Sequence, residues 1–138
     1  DAHPYKIDPS ALFDFVEQNP KTDIIVLHAG YPYVRKSGYI ASCFDNVYVD
    51  LSLTIPFVQH GSKQVIREIL ELAPTTKVLY GSDAFSNPEI YVLAAKRIRN
   101  DLSTVLNNLV EEEYITEDYA KESAKRILRN NTKRLYDL

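Results

Sequence analysis

One stretch of the chain, residues 24–30, constrains the fold more than any other. Four apolar residues, three of them β-branched, run directly into His28, and the small residues Ala29 and Gly30 follow. A short run that is apolar on both faces predicts a strand buried in a parallel sheet. In α/β folds, ligands bind at the carboxyl ends of such strands. The sequence therefore places His28 where a functional residue is expected.

Two later stretches repeat this pattern. Residues 77–83 run from an apolar segment into Asp83, and residues 46–52 end with Asp50 and Ser52. Because the carboxyl ends of parallel strands meet at one edge of a sheet, we expect these polar side chains on the same side as the histidine. A strand that ends in histidine and another that ends in aspartate together predict metal binding or general-base chemistry, whereas either one alone is weak evidence.

Helical periodicity and capping signals separate the three strands. Asp8, Asn87 and Thr116 are residue types that cap helices, whereas Asn130 and Asn131 are expected to end one. Strands that alternate with helices indicate an α/β fold with about three parallel strands, followed here by two C-terminal helices. We predict helices over 8–18, 34–44, 62–73, 87–113 and 115–130, a last helical turn or two over 132–138, and strands over 23–28, 46–52 and 77–83.

The composition predicts a single domain over residues 1–138. With 45% apolar and 25% charged residues, the chain is an ordinary globular sequence that can bury a core. A net charge of −3 without a basic stripe gives no electrostatic support for nucleic-acid binding, and no apolar run reaches the ~20 residues of a membrane-spanning helix. The chain contains no methionine and starts as if in the middle of a loop, so we expect a fragment or an excised domain.

The single cysteine, Cys43, excludes an internal disulfide and predicts a reducing, cytoplasmic location. It falls within a predicted helix, so we expect a buried structural thiol rather than a nucleophile. Residues 1–7, including His3, are expected to form a loop.

Four segments together resemble one known family. They are residues 25–32 (IVLHAGYP), 46–52 (NVYVDLS), 77–83 (KVLYGSD) and 127–136 (ILRNNTKRLY). In order and spacing they are similar to the C-terminal half of the amidohydrolase-2 family, and the nodulin and glutamine-synthetase-associated amidohydrolases share the most of these motifs. Members are metal-dependent TIM-barrel hydrolases and decarboxylases. The resemblance therefore implies the second half of a (β/α)8 barrel, a fold of ~250 residues. The first strand of the family, with its His-x-His motif, has no counterpart in this chain.

The resemblance also implies roles for individual residues. His28 matches a histidine that binds the divalent metal, expected to be zinc, and Asp83 matches an aspartate that ligates the metal or accepts a proton from its water. His60 is similar in position to a histidine that polarises the substrate carbonyl. A catalytic zinc needs about three protein ligands, and His28 with Asp83 supplies at most two. We therefore expect this chain alone to be metal-poor and inactive.

Each candidate also has a structural interpretation. His28 could be a core histidine bonded to a backbone carbonyl, Asp83 a helix cap or turn residue, and His60 a loop histidine near a helix start. A hydrogen-bonded structural role is favoured for Asp50. Tyr31 and Tyr33, close after His28, form either a wall of the substrate pocket or ordinary packing at a loop.

Two functions of different classes follow from these observations. The first is a metal-dependent hydrolase of a small-molecule substrate, with this chain as its C-terminal half. The second is a non-catalytic half-barrel or degenerate module, which would dimerise or associate with the missing half of the barrel because its sheet edges and apolar surface are exposed. A nucleotide-binding domain is disfavoured, since no glycine-rich loop follows any strand and the chain has only four glycines.

Overall fold

The computed structural model describes residues 8–138, so the predicted loop over 1–7, with His3, lies outside the described residues. Three strands alternate with helices as far as Leu79, and helices complete the range. In chain order the main elements are α1 (Phe13–Gln18), β1 (Ile24–Val26), α2 (Val34–Cys43), β2 (Val47–Asp50), α3 (Ser62–Leu70), β3 (Val78–Leu79), α4 (Pro88–Glu111), α5 (Glu117–Lys125) and α6 (Asn131–Leu135).

The three strands form one parallel sheet in the order β1-β2-β3. Ile24 pairs with Val47 and Val26 with Val49, while Val49 also lies opposite Val78. Parallel neighbours need a crossover between them, and α2 and α3 provide the two crossovers of this sheet. The α/β fold with about three parallel strands and alternating helices is thus confirmed, and it has the architecture of part of a TIM barrel.

The core lies between the sheet and the helices that cover it. Val47 and Val49 of β2 have no exposed surface, as expected for the central strand of a parallel sheet. Burying an aliphatic side chain of this size contributes about 1.5–3 kcal/mol, so these contacts hold the layers together. The helices and loops contribute further fully buried aliphatic side chains, among them Ile40, Leu51, Ile55, Ile66, Ile69, Ile98, Leu102 and Ile127.

The strands are shorter than the sequence predicts. The strand predicted over 23–28 ends at Val26, and the one predicted over 77–83 ends at Leu79. Beyond the first of these ends, His28 and Ala29 take left-handed backbone angles, with φ of 60° and 56°. An apolar pattern shows where a strand can lie but not where its ladder of hydrogen bonds stops, so the overestimate falls at the carboxyl ends.

The helix starts follow the predicted capping. Asn87 accepts a hydrogen bond from the N–H of Glu89, and Thr116 accepts one from the N–H of Tyr119. Asp8 caps a short 3₁₀ turn that leads into α1, and its carboxylate also accepts a bond from Lys36 on α2. This bond from Lys36, together with the bonds from Ser10, lowers the pKa of Asp8 to about 2.

The helix end predicted at Asn130 and Asn131 is wrong. A π-helical turn over Arg126–Asn130 connects α5 to α6, and Asn131 is buried within the continuous helical segment. Its side-chain amide donates to the carbonyl oxygens of Thr75 and Val78, both at 2.8 Å. Asparagine is unfavourable inside a helix in isolation, but here its amide provides the hydrogen bonds that two carbonyls of the sheet region require.

The prediction of a buried thiol is also wrong. Cys43 is exposed and is the last residue of α2, where it lies on the outer face of the helix. Within residues 8–138, no helix combines the length and the apolar character that crossing a membrane requires. The cytoplasmic location stays a prediction.

Replacing Asn131 with alanine should destabilise the fold. The carbonyls of Thr75 and Val78 would lose their donor, and an unsatisfied buried polar group costs about 1–3 kcal/mol. Urea denaturation measures the free energy of unfolding, with Asn107→Ala on the exposed face of α4 as the matched control. Equal stability of the two variants would contradict the role given to Asn131.

Candidate active site

The turn after β1 is held by a carboxylate from the neighbouring strand. His28 and Ala29 have positive φ angles, which cost non-glycine residues roughly 1–3 kcal/mol each. The backbone N–H of His28 donates to Oδ1 of Asp50, the last residue of β2, at 3.2 Å. Pairing of β1 with β2 therefore places the acceptor that stabilises this strained turn.

Ser52 connects the imidazole of His28 to the same carboxylate. Nδ1 of His28 lies 2.9 Å from Oγ of Ser52, and the Ser52 backbone N–H donates to Asp50 Oδ1 at 3.0 Å. The Ser52 hydroxyl donates its hydrogen to the same carboxylate oxygen. Because a serine hydroxyl has one hydrogen, its oxygen is left to accept from Nδ1–H of the histidine.

This hydrogen-bond chain, from His28 through Ser52 to Asp50, selects one tautomer of the ring. With the proton on Nδ1, a neutral imidazole carries its lone pair on Nε2. Histidines that bind metals are held in the same way, with one ring N–H donating to an oxygen and the other nitrogen facing the metal. The expected alternative, a core histidine bonded to a backbone carbonyl, is not the arrangement observed, since the ring partner is a serine hydroxyl.

The segment after β3 packs at Gly81 against the hydrogen-bonded residues Asp50 and Ser52. A Cβ atom at position 81 would lie 2.8 Å from Oδ2 of Asp50 and 3.0 Å from Cβ of Ser52. Both distances are shorter than ordinary van der Waals contact, so only glycine fits without moving the carboxylate. All three strands thus contribute to the site: β1 leads to the imidazole, β2 carries the carboxylate and β3 leads to the glycine.

Asp83 lies two residues beyond this glycine, on the same edge of the sheet. Its side chain is exposed and its backbone has a φ of 52°. Asp83 does not cap α4, because α4 begins at Pro88 and Asn87 caps it, but its left-handed backbone agrees with the alternative role as a turn residue. An exposed carboxylate at this edge is accessible to a ligand, and its catalytic or metal-binding role stays a prediction.

His60 lies on a different loop, in a 3₁₀ turn over Gln59–Gly61 that precedes α3. The side chain is exposed, and no hydrogen bond described for residues 8–138 joins it to His28 or Asp83. The turn follows β2 in the chain, so it belongs to the loops that follow the strands. Its role toward a substrate carbonyl stays a prediction.

The two candidate tyrosines differ in their surroundings. Tyr31 is 46% exposed and lines a cavity of about 320 Å³ together with His28 and Leu27. Tyr33 is half-buried, and Nζ of Lys36 lies 5.1 Å from its ring centroid, which is cation–π geometry. The structure therefore brings Tyr31 next to the histidine, whereas it engages the ring of Tyr33 with a lysine on α2. Substrate binding by either tyrosine stays a prediction.

One further group near the site keeps its proton. Tyr80 precedes Gly81 and is half-buried, and this burial raises the pKa of its phenol, with a smaller opposing effect of Arg99. The hydroxyl is therefore neutral at physiological pH, and it can donate a hydrogen bond.

The described residues do not by themselves form a metal site. Nε2 of His28 is suited to bind a divalent metal, and the carboxylate of Asp83 is a suitable oxygen donor. Over residues 8–138, however, no three or more histidine, cysteine, aspartate or glutamate side chains form a group that could hold a metal ion. The donors fit a metal by their chemistry, but they do not complete a coordination shell.

The family model for amidohydrolases matches residues 5–138 of this sequence. The chain belongs to the amidohydrolase family. The match contains the whole network of His28, Ser52 and Asp50, as well as Asp83 and His60. The resemblance inferred from the four sequence segments is thereby confirmed.

Two relatives agree with this assignment. Protein fluG of Emericella nidulans is 36% identical over 134 residues, which are 96% of this chain and 16% of that protein. A crystal structure of a provisionally named metal-dependent hydrolase from Lactobacillus casei superposes with a TM-score of 0.86 at 32% identity, over 94% of this chain and 34% of the other. The chain therefore spans about a sixth of the first relative and about a third of the second.

Ser52 and Gly81 are the residues of the site whose roles the sequence did not reveal. Asp50 and Ser52 were expected near a strand end, but nothing in the local pattern connects them to an imidazole 24 residues earlier in the chain. Two features of the sequence could have pointed to these roles. Ser52 lies two positions after the strand-end acid Asp50, and Gly81 lies in the segment that ends the next strand.

Replacing Gly81 with alanine should displace the Asp50 carboxylate and release the turn at His28. Overpacking of this kind costs about 1–3 kcal/mol of stability. Gly61→Ala is the matched control, because its Cβ would also come within 2.8 Å of a neighbour, here a methyl carbon of Val58. A crystal structure of each variant is the measurement, and only Gly81→Ala should lengthen the bond from the His28 N–H to Asp50. An unchanged bond would show that the carboxylate tolerates the added methyl group.

Proposed function

We propose that this chain forms part of a metal-dependent hydrolase that cleaves an amide or a related C–N or C–O bond of a small molecule, or decarboxylates it. The observation that carries the proposal is the bond from Nδ1 of His28 to the Ser52 hydroxyl, which leaves Nε2 free to bind a metal. Membership of the amidohydrolase family supports the reaction class. The metal-dependent hydrolase from L. casei supports a divalent metal, and we propose zinc.

Each strand-end residue has a proposed role in this reaction. His28 ligates the metal through Nε2, and Asp83 is either a second ligand or the acceptor of a proton from water. His60 donates a hydrogen bond to the substrate carbonyl, while Tyr31 and Tyr33 line the substrate pocket. When bound, a divalent metal supplies a Lewis acid and lowers the pKa of water to about 7.

The remaining metal ligands are proposed to come from polypeptide outside this sequence. Catalytic zinc sites have about three protein ligands, and the two proposed here are too few to hold zinc tightly. The matched relatives are about three and six times longer than the segment they share with this chain, so they contain room for such ligands. We accordingly propose that the segment alone binds metal weakly and is inactive.

Association with further polypeptide is also proposed, either with the other part of a barrel or with a second copy. Leu27 is 58% exposed and Phe85 is 98% exposed, and both lie on loops that follow strands of the sheet. Apolar side chains of this size are commonly covered in an assembly. The alternative function, a non-catalytic module that only binds or assembles, relies on the same surface. We propose a cytoplasmic location, supported by the single cysteine.

His28→Ala in the full-length protein should abolish metal binding and turnover together, because it removes the proposed ligand. Metal content measured by inductively coupled plasma mass spectrometry provides the test. Full metal occupancy with full turnover in this variant would exclude His28 as a ligand, and a wild-type protein that binds no metal would favour the non-catalytic module.

In the full-length protein, Ser52→Ala should weaken zinc binding by roughly 10- to 100-fold. This is the usual effect of removing a residue that orients a metal-binding histidine. Competition with a chromophoric chelator measures the zinc affinity. Ser103→Ala is the matched control, because the hydrogen bond described for its hydroxyl goes to a carbonyl of its own helix, on the exposed face of α4. If both variants bind zinc as the wild type does, the Ser52 hydroxyl has no part in orienting His28.

A further inference from the structure

A second buried carboxylate, outside the network at His28, is connected to the loop that carries His60. Asp101 on α4 has no exposed surface. Burial of a carboxylate is unfavourable unless hydrogen bonds or an ion pair compensate for the lost solvation. Oδ1 of Asp101 accepts from Nδ2 of Asn100 at 3.0 Å, and Oδ2 lies 4.0 Å from Nε of Arg97. Its remaining partner is the hydroxyl of Ser62.

Ser62 joins this carboxylate to the turn of His60. It is the first residue of α3 and is fully buried. Its hydroxyl has one hydrogen, which it donates to the Asp101 carboxylate, and its backbone N–H donates to the carbonyl of Gln59, whose oxygen lies 2.7 Å from Oγ. Gln59 is the residue before His60, and its φ of 54° lies in the left-handed region that non-glycine residues disfavour. Ser62 thus connects the Asp101 carboxylate to the backbone at the strained position of the turn.

The turn has few other restraints among the described contacts. The N–H of Gly61 donates to the carbonyl of Val58 at 3.2 Å, and the side chains of Gln59 and His60 are exposed. An exposed segment with a strained residue keeps its conformation only when its surroundings determine it. Here the determining contact is the bond from the Ser62 backbone N–H to the Gln59 carbonyl, and Asp101 holds Ser62 in place through its hydroxyl.

We infer that Asp101 is a positioning residue for His60: it holds the hydroxyl of Ser62, and the backbone N–H of Ser62 holds the Gln59–Gly61 turn. The inference rests on the proposed function only in that His60 is taken to face the substrate. In the simpler structural interpretation, the pair fastens α3 to α4 and has no effect on the imidazole. The positioning role and the structural role make different predictions. Only the positioning role predicts that loss of the Ser62 hydroxyl changes the surroundings of the His60 ring.

The test uses NMR of the full-length protein, free of metal and substrate, with ¹³C at Cε1 of every histidine. The His60 signal is the one lost in His60→Gln. We expect Ser62→Ala and Asp101→Ala to shift or broaden this signal, and to make amide exchange at Gly61 roughly tenfold faster because the turn opens more often. Asp101→Asn should restore the wild-type signal, since its amide oxygen can still accept from Ser62.

Ser123→Ala is the matched control, because it removes a buried serine hydroxyl that has no hydrogen-bond partner among the described residues. If Ser62→Ala leaves the His60 signal and the Gly61 exchange as they are in this control, the positioning role is wrong. Ser62→Ala decides the question by itself if Asp101→Ala does not fold. Unchanged turnover of His60→Gln would instead overturn the catalytic role of His60 and leave the positioning result intact.

Discussion

The Asp50 carboxylate is the group on which the candidate site depends. One of its oxygens accepts from the backbone N–H of His28, the backbone N–H of Ser52 and the Ser52 hydroxyl. Hydrogen bonds to an ionised acceptor are roughly twice as strong as neutral ones, so together they can compensate for the left-handed turn after β1. The sheet places the carboxylate, and the carboxylate places both the backbone and the ring of the histidine.

The same principle operates twice in this chain. At His28 and at Gln59, a non-glycine residue with positive φ lies on a loop that follows a strand, and in each case a serine connects the loop to an acidic side chain. A serine in such a position transmits the placement of a rigid element to a loop, because its hydroxyl donates to the acid while another group of the same residue, the Oγ lone pair of Ser52 or the backbone N–H of Ser62, bonds to the loop. The loop residues of such a site are therefore held as firmly in position as the strands and helices to which the serines connect them.

Much of the fold could be predicted from the sequence because its signals are local. The order of elements, the parallel sheet and the caps at Asn87 and Thr116 depend on neighbours a few residues apart. The bond between His28 and Ser52 spans 24 residues, and that between Asn131 and Thr75 spans 56. Such contacts depend on the assembled sheet, so the tautomer of the histidine and the burial of Asn131 could not be predicted. The exposure of Cys43 likewise depends on which face of α2 meets the core.

The bonds from Asn131 also set an order in which the domain can be completed during synthesis. Until the ribosome has released residues near the end of the sequence, the carbonyls of Thr75 and Val78 have no donor from Asn131. Contacts between residues so far apart form late, because a long loop must close first. The ends of strand β3, which leads to the glycine that closes over Asp50, therefore gain these two bonds only after residue 131 has left the ribosome.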